Sequence, residues 1–225
     1  MKTVYSFPVN AILLIGPTGA GKSPLGELLV RNGLSGKKAY HLDFGAELRA
    51  IISRNDSSLF FSTPEITFIS SVLEHGLLLE DQHFSLARKI IKCFLDRSGF
   101  SDDDLLILNG IPRHAGQAND IATVAIIHTL IVLVCPSDGV FCRLRDNVGG
   151  DRRDRRDDDS ALVEKKLCLF TERTAPLVEY YRNAGAMIVP ISVGTTTTAE
   201  DAYHQVLSTP TGHPPVPLFT EPPQR

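Results

Sequence analysis

The stretch from Val9 to Gly26 constrains this chain more than any other. An apolar, β-branched run ends at Gly16, and a glycine-rich turn follows. The segment from Pro24 to Asn32 then sets Leu25, Leu28 and Leu29 at helical spacing, with Gly33 as a C-terminal stop. Strand, tight glycine loop, helix is the context in which G-x-x-x-x-G-K-[ST] counts as a phosphate-binding loop. Gly16, Gly21, Lys22 and Ser23 fill its four fixed positions. Glycines at 16, 19 and 21 let backbone N–H groups converge on phosphate oxygens with no Cβ in the way. The helix N-terminus adds partial positive charge, Lys22 brings a full charge to the β and γ phosphates, and Ser23 offers a hydroxyl to Mg²⁺. The whole run Gly16, Thr18, Gly19, Ala20, Gly21, Lys22, Ser23 and Pro24 is therefore expected to contact ATP. The alternative is a loop whose glycines serve only the turn. Motif and context agree on a nucleoside triphosphate.

Composition narrows the setting. A chain of 225 residues, 43% hydrophobic, can bury one sizeable core and reads as one domain, residues 1–207, with insertions. A net charge of −3 advertises no basic surface for nucleic acid. No apolar run reaches the roughly 18 residues of a membrane span. Ile121 to Cys135 comes nearest, but His128 and Thr129 interrupt it. The first residues lack the layout of a signal peptide. Cys93, Cys135, Cys142 and Cys168 form no C-x-x-C pair, so reduced thiols, a cytoplasmic setting and neither structural zinc nor disulfides are expected. A monomer with no nucleic-acid or membrane partner is expected.

Taken in order, Lys38 to Phe44 reads as a second strand, broken by Gly45, with a helix starting at Ala46. Ser53 to Phe61 is irregular. Ser62-Thr63-Pro64-Glu65 is a helix start, and Gly76 a stop. Leu77-Leu78-Leu79 is an extended link, and Asp81 to Leu95 another helix. Leu105 to Leu108 is a third strand, Ala115 to Ala125 a helix, Leu130 to Cys135 a fourth strand, and Val140 to Arg145 helical. A long helix carries Val163, Leu167, Phe170, Leu177 and Tyr181, kinked near Pro176. Met187 to Ile191 is a fifth strand and Ala199 to Leu207 a closing helix. The proline-rich residues 208–225 are expected to be disordered. Strands alternating with helices predict an α/β, three-layer doubly wound sheet of about five parallel strands. Ligands in such sheets sit beyond the carboxyl ends of the strands, where the loop, Asp43-Phe44, Asn109 to Arg113 and the region after Cys135 all fall.

With ATP placed, four further segments carry a resemblance to the adenylate kinase and nucleoside monophosphate kinase family, over about Ile12 to Leu207. His41 to Arg49 is similar to the family's "H-I-S-T-G-D-L-L-R". By that resemblance Arg49 binds the monophosphate's phosphate, and Phe44 takes the place of a base-contacting threonine. Gly76 to Asp81 resembles "G-x-L-V-P-D", whose backbone, here Leu77, Leu78 and Leu79, passes over the acceptor base. Asn109-Gly110-Ile111-Pro112-Arg113 through Gln117 resembles "D-G-F-P-R-x-x-x-Q", the most specific match. Arg113 stands just past a buried strand, where its forked guanidinium can pair with a phosphate. Gln117 carries an acceptor and two donors suited to the N1 and N6 edge of adenine. Arg143 with Arg152 to Asp159 looks like the family's mobile lid. Arg155 aligns with a phosphate-clamping arginine, Asp157 and Asp158 with paired acids, Lys166 with a further arginine, and Arg143 would lie against adenine. The resemblance thus implies a helical insertion at about 44–80 and a short lid at about 147–159. Taken alone, Arg49 also reads as an exposed helix arginine, Arg113 and Gln117 as loop and surface residues, and the lid as a solvated charge run.

The implied reaction is Mg²⁺-dependent transfer of phosphoryl from ATP to AMP. It needs no general base, because the acceptor is already an anion; Lys22, Arg49, Arg113, Arg152 and Arg155 would act electrostatically. Four positions depart from the pattern. Asn109 replaces the aspartate that orders Mg²⁺-bound water, removing a charge unless Asp43 or another acid supplies it. Phe44 opens the choice of acceptor base. Asn147 stands where a lid arginine is common, and Arg152 or Arg153 can supply that charge. Pro24 leaves Ser23 as the metal-binding hydroxyl of the loop. Two rival readings stay open: a kinase of a small hydroxyl metabolite with Asp43 as base, and a nucleotide-binding relative without the chemistry.

Overall fold

The computed structural model describes residues 5–34, 36–54, 60–150 and 160–209. Five strands, β1 (Val9–Ile15), β2 (Ala39–Asp43), β3 (Leu105–Asn109), β4 (Ala125–Val134) and β5 (Met187–Ser192), form one sheet. Its order is β2-β3-β1-β4-β5, and every pair is parallel. The strands read as continuous apolar runs because both faces are covered. Alternation along β1 and its neighbours sorts them between two cores. Leu13, Ile15, Leu106, Leu108, Leu130 and Val132 pack on one face. Ile12, Leu14, Ile107, Ile131 and Leu133 pack on the other. The chain places β2 at one edge, returns with β3 to lie beside β1, and then crosses to add β4 and β5 on the other side. The crevice at such a reversal is where this architecture holds ligands.

Nine α-helices lie among the described residues. They are α1 (Lys22–Asn32), α2 (Phe44–Ser53), α3 (Thr63–His75), α4 (Phe84–Ser98) and α5 (Ala115–Ile121), then α6 (Ser137–Arg145), α7 (Ser160–Leu169), α8 (Leu177–Asn183) and α9 (Ala199–Ser208). Local chemistry sets their ends. Ser62 and Glu65 close a reciprocal capping box at the start of α3, with proline in the first turn, and Gly76 ends it in the left-handed region at φ 60°. Thr198 and Asp201 repeat the box at α9.

Three expectations are corrected. Gly45 does not break the chain after β2. Asp43 caps α2 by accepting from the Ala46 amide at 2.9 Å, so the helix takes in both Phe44 and Gly45. The helix expected over Ala115 to Ala125 stops at Ile121, and β4 begins at Ala125 rather than Leu130. Pairing with β1 overrides the interruption: His128 is accommodated as a bulge between Ala11 and Ile12, and its Nε2 lies 2.8 Å from the Asn10 side-chain oxygen. The long kinked helix is two helices joined by a π turn at Phe170–Thr174, in which the Ala175 amide reaches back to Phe170. Its expected stripe therefore divides: Val163 and Leu167 join one core, Phe170, Leu177 and Tyr181 the other. No helix among the described residues is long and apolar enough to cross a membrane. The expected tail beyond Thr209 and the expected lid from residue 151 to 159 lie outside the described residues.

Candidate active site

At the carboxyl end of β1 the chain turns through the glycine loop into α1. Gly21, at φ 95°, is a left-handed cap that a side-chain residue would strain to adopt. Lys22 opens the helix and curls back over the loop, its ammonium donating to the Gly16 and Pro17 carbonyls at 2.7 Å each. The Arg143 guanidinium, from α6, braces the loop. It donates to the carbonyls of Gly19 at 3.0 Å, Gly194 at 2.7 Å and Thr197 at 2.8 Å, and it is buried.

Gly16, Thr18, Gly19, Gly21, Lys22, Ser23 and Arg143 line one cleft together with Phe44, Arg49, Leu77, Leu78, Leu79, Gly110, Arg113, Gln117 and Lys166. The expected triphosphate and acceptor residues are thus brought to one place. Two are not: Ala20 is buried in the core, and Pro24 stands in the first turn of α1 outside the cleft lining. Arg152 and Arg155 lie outside the described residues.

Where β1, β2 and β3 end, four polar side chains meet. The Ser23 hydroxyl donates a hydrogen bond to Asp43 Oδ2. Asn109 Nδ2 lies 3.2 Å from both Ser23 Oγ and Asp43 Oδ2, and 3.4 Å from His41 Nε2. Asp43 and Asn109 are direct cross-strand partners. The His41 imidazole packs so closely on α1 that a Cβ at Gly26 would fall 2.5 Å from its Nε2. Burial lowers the pKa of His41, and the Asp43 carboxylate opposes that shift. An aspartate directly before a helix start is a readable cap signal, whereas the Ser23–Asp43 contact depends on the sheet and is invisible locally.

Another part of the cleft is built around Arg113. Its Nε donates to the Gly110 carbonyl at 3.1 Å, and the Arg113 carbonyl accepts from Thr174 Oγ at 2.9 Å. Desolvation lowers the guanidinium pKa, with Asp43 opposing. Gln117 is buried and clasps two backbones: Oε1 accepts from the Arg113 amide at 2.8 Å, and Nε2 donates to Leu79 O at 2.7 Å. Each amide atom keeps one further bonding position, so the clasp leaves Gln117 able to read a base edge. His114 reinforces it. Its Nδ1 accepts from the Gln117 amide, which assigns the proton to Nε2, donating to Leu79 O at 2.9 Å. Glu80 and Arg173 form a two-pronged ion pair at 2.7 and 2.8 Å, and the arginine's hydrogen bonds hold the Glu80 carboxyl below its usual range. The Phe44 ring is buried in the core and brings no hydroxyl to the cleft. His114, Glu80, Arg173 and Thr174 were not anticipated from the sequence, since each acts through a contact at least 35 residues away or through a backbone atom.

Mg²⁺ favours hard oxygen donors, and usually takes one or two from the protein and the rest from water and phosphate. Among the described residues no group of three or more His, Cys, Asp or Glu could hold a metal. The Ser23 hydroxyl and Asp43 carboxylate beside the loop fit an ion that arrives with a nucleotide.

A parallel sheet with a glycine phosphate loop at its reversal point, faced across a cleft by arginines, defines an α/β protein of the P-loop kinase type. No family model matches the chain. It is 33% identical to an adenylate kinase of Synechococcus sp. over 181 residues, covering 78% of this chain and 86% of that one. It is 30% identical to an adenylate kinase of Prochlorococcus marinus over 178 residues, covering 76% and 83%. An adenylate kinase of Mesoplasma florum is 28% identical over 226 residues, covering 87% and 98%. The chain belongs to the adenylate kinase and nucleoside monophosphate kinase family.

Proposed function

We propose that this protein is an adenylate kinase: it transfers phosphoryl reversibly from Mg-ATP to AMP, giving two ADP. The observation that carries the reading is one cleft lined by both Lys22 of the phosphate loop and the Arg49, Arg113 and Gln117 set. A binding module for ATP alone has no use for two further arginines and a base reader opposite it.

Transfer between two polyanions needs alignment, charge neutralisation and exclusion of water. Lys22 releases the loop carbonyls to reach the β and γ phosphates. Arg113, already partly desolvated, holds the acceptor phosphate, and Arg49 neutralises it from α2. Gln117 offers its remaining donor and acceptor to N1 and N6 of adenine. Leu77 to Leu79 pass over that base and Lys166 adds charge from α7; the resemblance alone assigns Arg152 and Arg155 to neutralising the phosphates. Arg143 presents the face of its guanidinium to the adenine of ATP. Bound Mg²⁺ supplies charge neutralisation on the transferring phosphates. The residues hold and neutralise; none has to remove a proton.

The test is a coupled assay for ADP with Mg-ATP against AMP, dAMP, CMP, UMP and GMP. Turnover with AMP well above the others is expected. Turnover with none of them, but with a hydroxyl-bearing acceptor, would replace the proposal by the rival in which Asp43 acts as base.

A further inference from the structure

We propose that the carboxylate organising Mg²⁺ at the phosphate loop is Asp43, at the end of β2, and that Asn109 at the end of β3 serves it as a donor. The inference rests on the ATP half of the reading above and is independent of the acceptor.

P-loop enzymes hold their ion with the hydroxyl that follows the loop lysine and with an acid beside it. Here the hydroxyl is Ser23, and its proton is directed onto Asp43 Oδ2. Spending the proton on the carboxylate leaves the serine oxygen to act as an electron-pair donor, which is the form a metal needs. Asn109 contributes only an N–H to this junction, shared at 3.2 Å between Ser23 Oγ and Asp43 Oδ2. An acid at 109 would instead face Asp43 directly across the β2–β3 ladder, placing two like charges in register. One carboxylate therefore serves the junction, displaced by one strand, and asparagine turns a repulsion into a hydrogen bond.

The position of Asp43 is also fixed. Its Oδ1 accepts from the Ala46 amide and caps α2, which leaves Oδ2 as the oxygen turned to Ser23 and Asn109. Behind it, His41 closes the junction against Gly26 and touches Asn109 Nδ2. The carboxylate is held on two sides before any ligand arrives, as a group that orients metal-bound water must be. The same engagement argues against Asp43 as a general base, which would have to give up the serine proton to accept a substrate's.

The experiment measures affinity for the unreactive β,γ-imido analogue of ATP by calorimetry, with and without Mg²⁺, and bound Mn²⁺ by electron paramagnetic resonance. In the wild type Mg²⁺ tightens binding. In Asp43→Asn, which keeps the α2 cap, that Mg²⁺-dependent gain falls by about 10- to 100-fold, the usual cost of losing a group that orients metal ligands. Metal-free affinity stays the same or rises, since a negative charge near the phosphates is gone. Asp43→Asn with Asn109→Asp, which returns a carboxylate to the junction from β3, recovers the gain. Ser23→Ala gives the same loss as Asp43→Asn, and this carries the test should the aspartate variant fold poorly. An undiminished Mg²⁺ gain in Asp43→Asn or Ser23→Ala overturns the assignment, as does equal loss of affinity with and without metal. Failure of the acceptor reading appears only in turnover with monophosphates and leaves these affinities where they are.

Discussion

Replacing Gln117 by alanine separates two roles that the site assigns to one side chain. Truncation strips the Arg113 amide of its acceptor and Leu79 O of one of its two donors. A partly buried N–H left unpaired costs about 1–2 kcal/mol, near the lower end for an orphaned donor. Leu79 O keeps the His114 ring, so its loss is that of an ordinary hydrogen bond, about 0.5–1.5 kcal/mol. Together the substitution should destabilise the protein by about 1.5–3.5 kcal/mol, or roughly 3–14 °C in Tm at about 2–4 °C per kcal/mol for a chain of this size. Urea and thermal unfolding measure that directly. The base-reading role appears separately, as a rise in KM for AMP with little change in KM for ATP. A stability change below about 0.5 kcal/mol would refute the clasp. An unchanged ratio of AMP to CMP turnover would refute the base contact.

Other consequences are as open to test. Lys22→Met should lower kcat by orders of magnitude while leaving circular dichroism unchanged; near-normal turnover would remove the loop lysine from the chemistry. Gly26→Ala would stabilise an ordinary helix interior by about 0.5–1 kcal/mol, but here the new Cβ meets the His41 ring at 2.5–2.6 Å. Overpacking costs about 1–3 kcal/mol, so urea unfolding should show a net loss, and a gain would contradict the packing. The Glu80–Arg173 pair gives a pH signature. The Glu80 pKa is depressed, so its contribution is present above the ordinary value of 4.5 and is lost as pH falls through the lower, folded value. Half of the Glu80 side chain is exposed, which limits the pair to about 0.2–1 kcal/mol. Arg173→Ala should therefore lower stability by that amount at pH 7 and converge with the wild type in acid; a constant difference across pH would assign the loss to packing.

The sheet was readable because fully covered parallel strands leave near-continuous apolar runs, and the glycine loop was readable because its steric demands fix residue types at short spacing. Arg113 and Gln117 stood out because the run from Asn109 to Gln117 resembles a family motif, and both line the cleft. What escaped the sequence depends on distance or on backbone atoms. The reach of β4 back to Ala125 is set by pairing with Val9 to Ala11, not by its own interrupted pattern. The start of α2 at Phe44 is decided by one side-chain cap, which outweighs the break expected of Gly45. Asp43 beside Ser23 and Asn109 requires the β2–β3 register, and the Leu79 clasp requires a carbonyl, which carries no residue signature.

The central claim is tested most directly by giving the protein Mg²⁺ and ADP alone and following ³¹P resonances. An adenylate kinase turns ADP into ATP and AMP in equal amounts until the three nucleotides reach equilibrium, with no inorganic phosphate. ADP that stays unchanged, or that yields inorganic phosphate without ATP, would contradict the account.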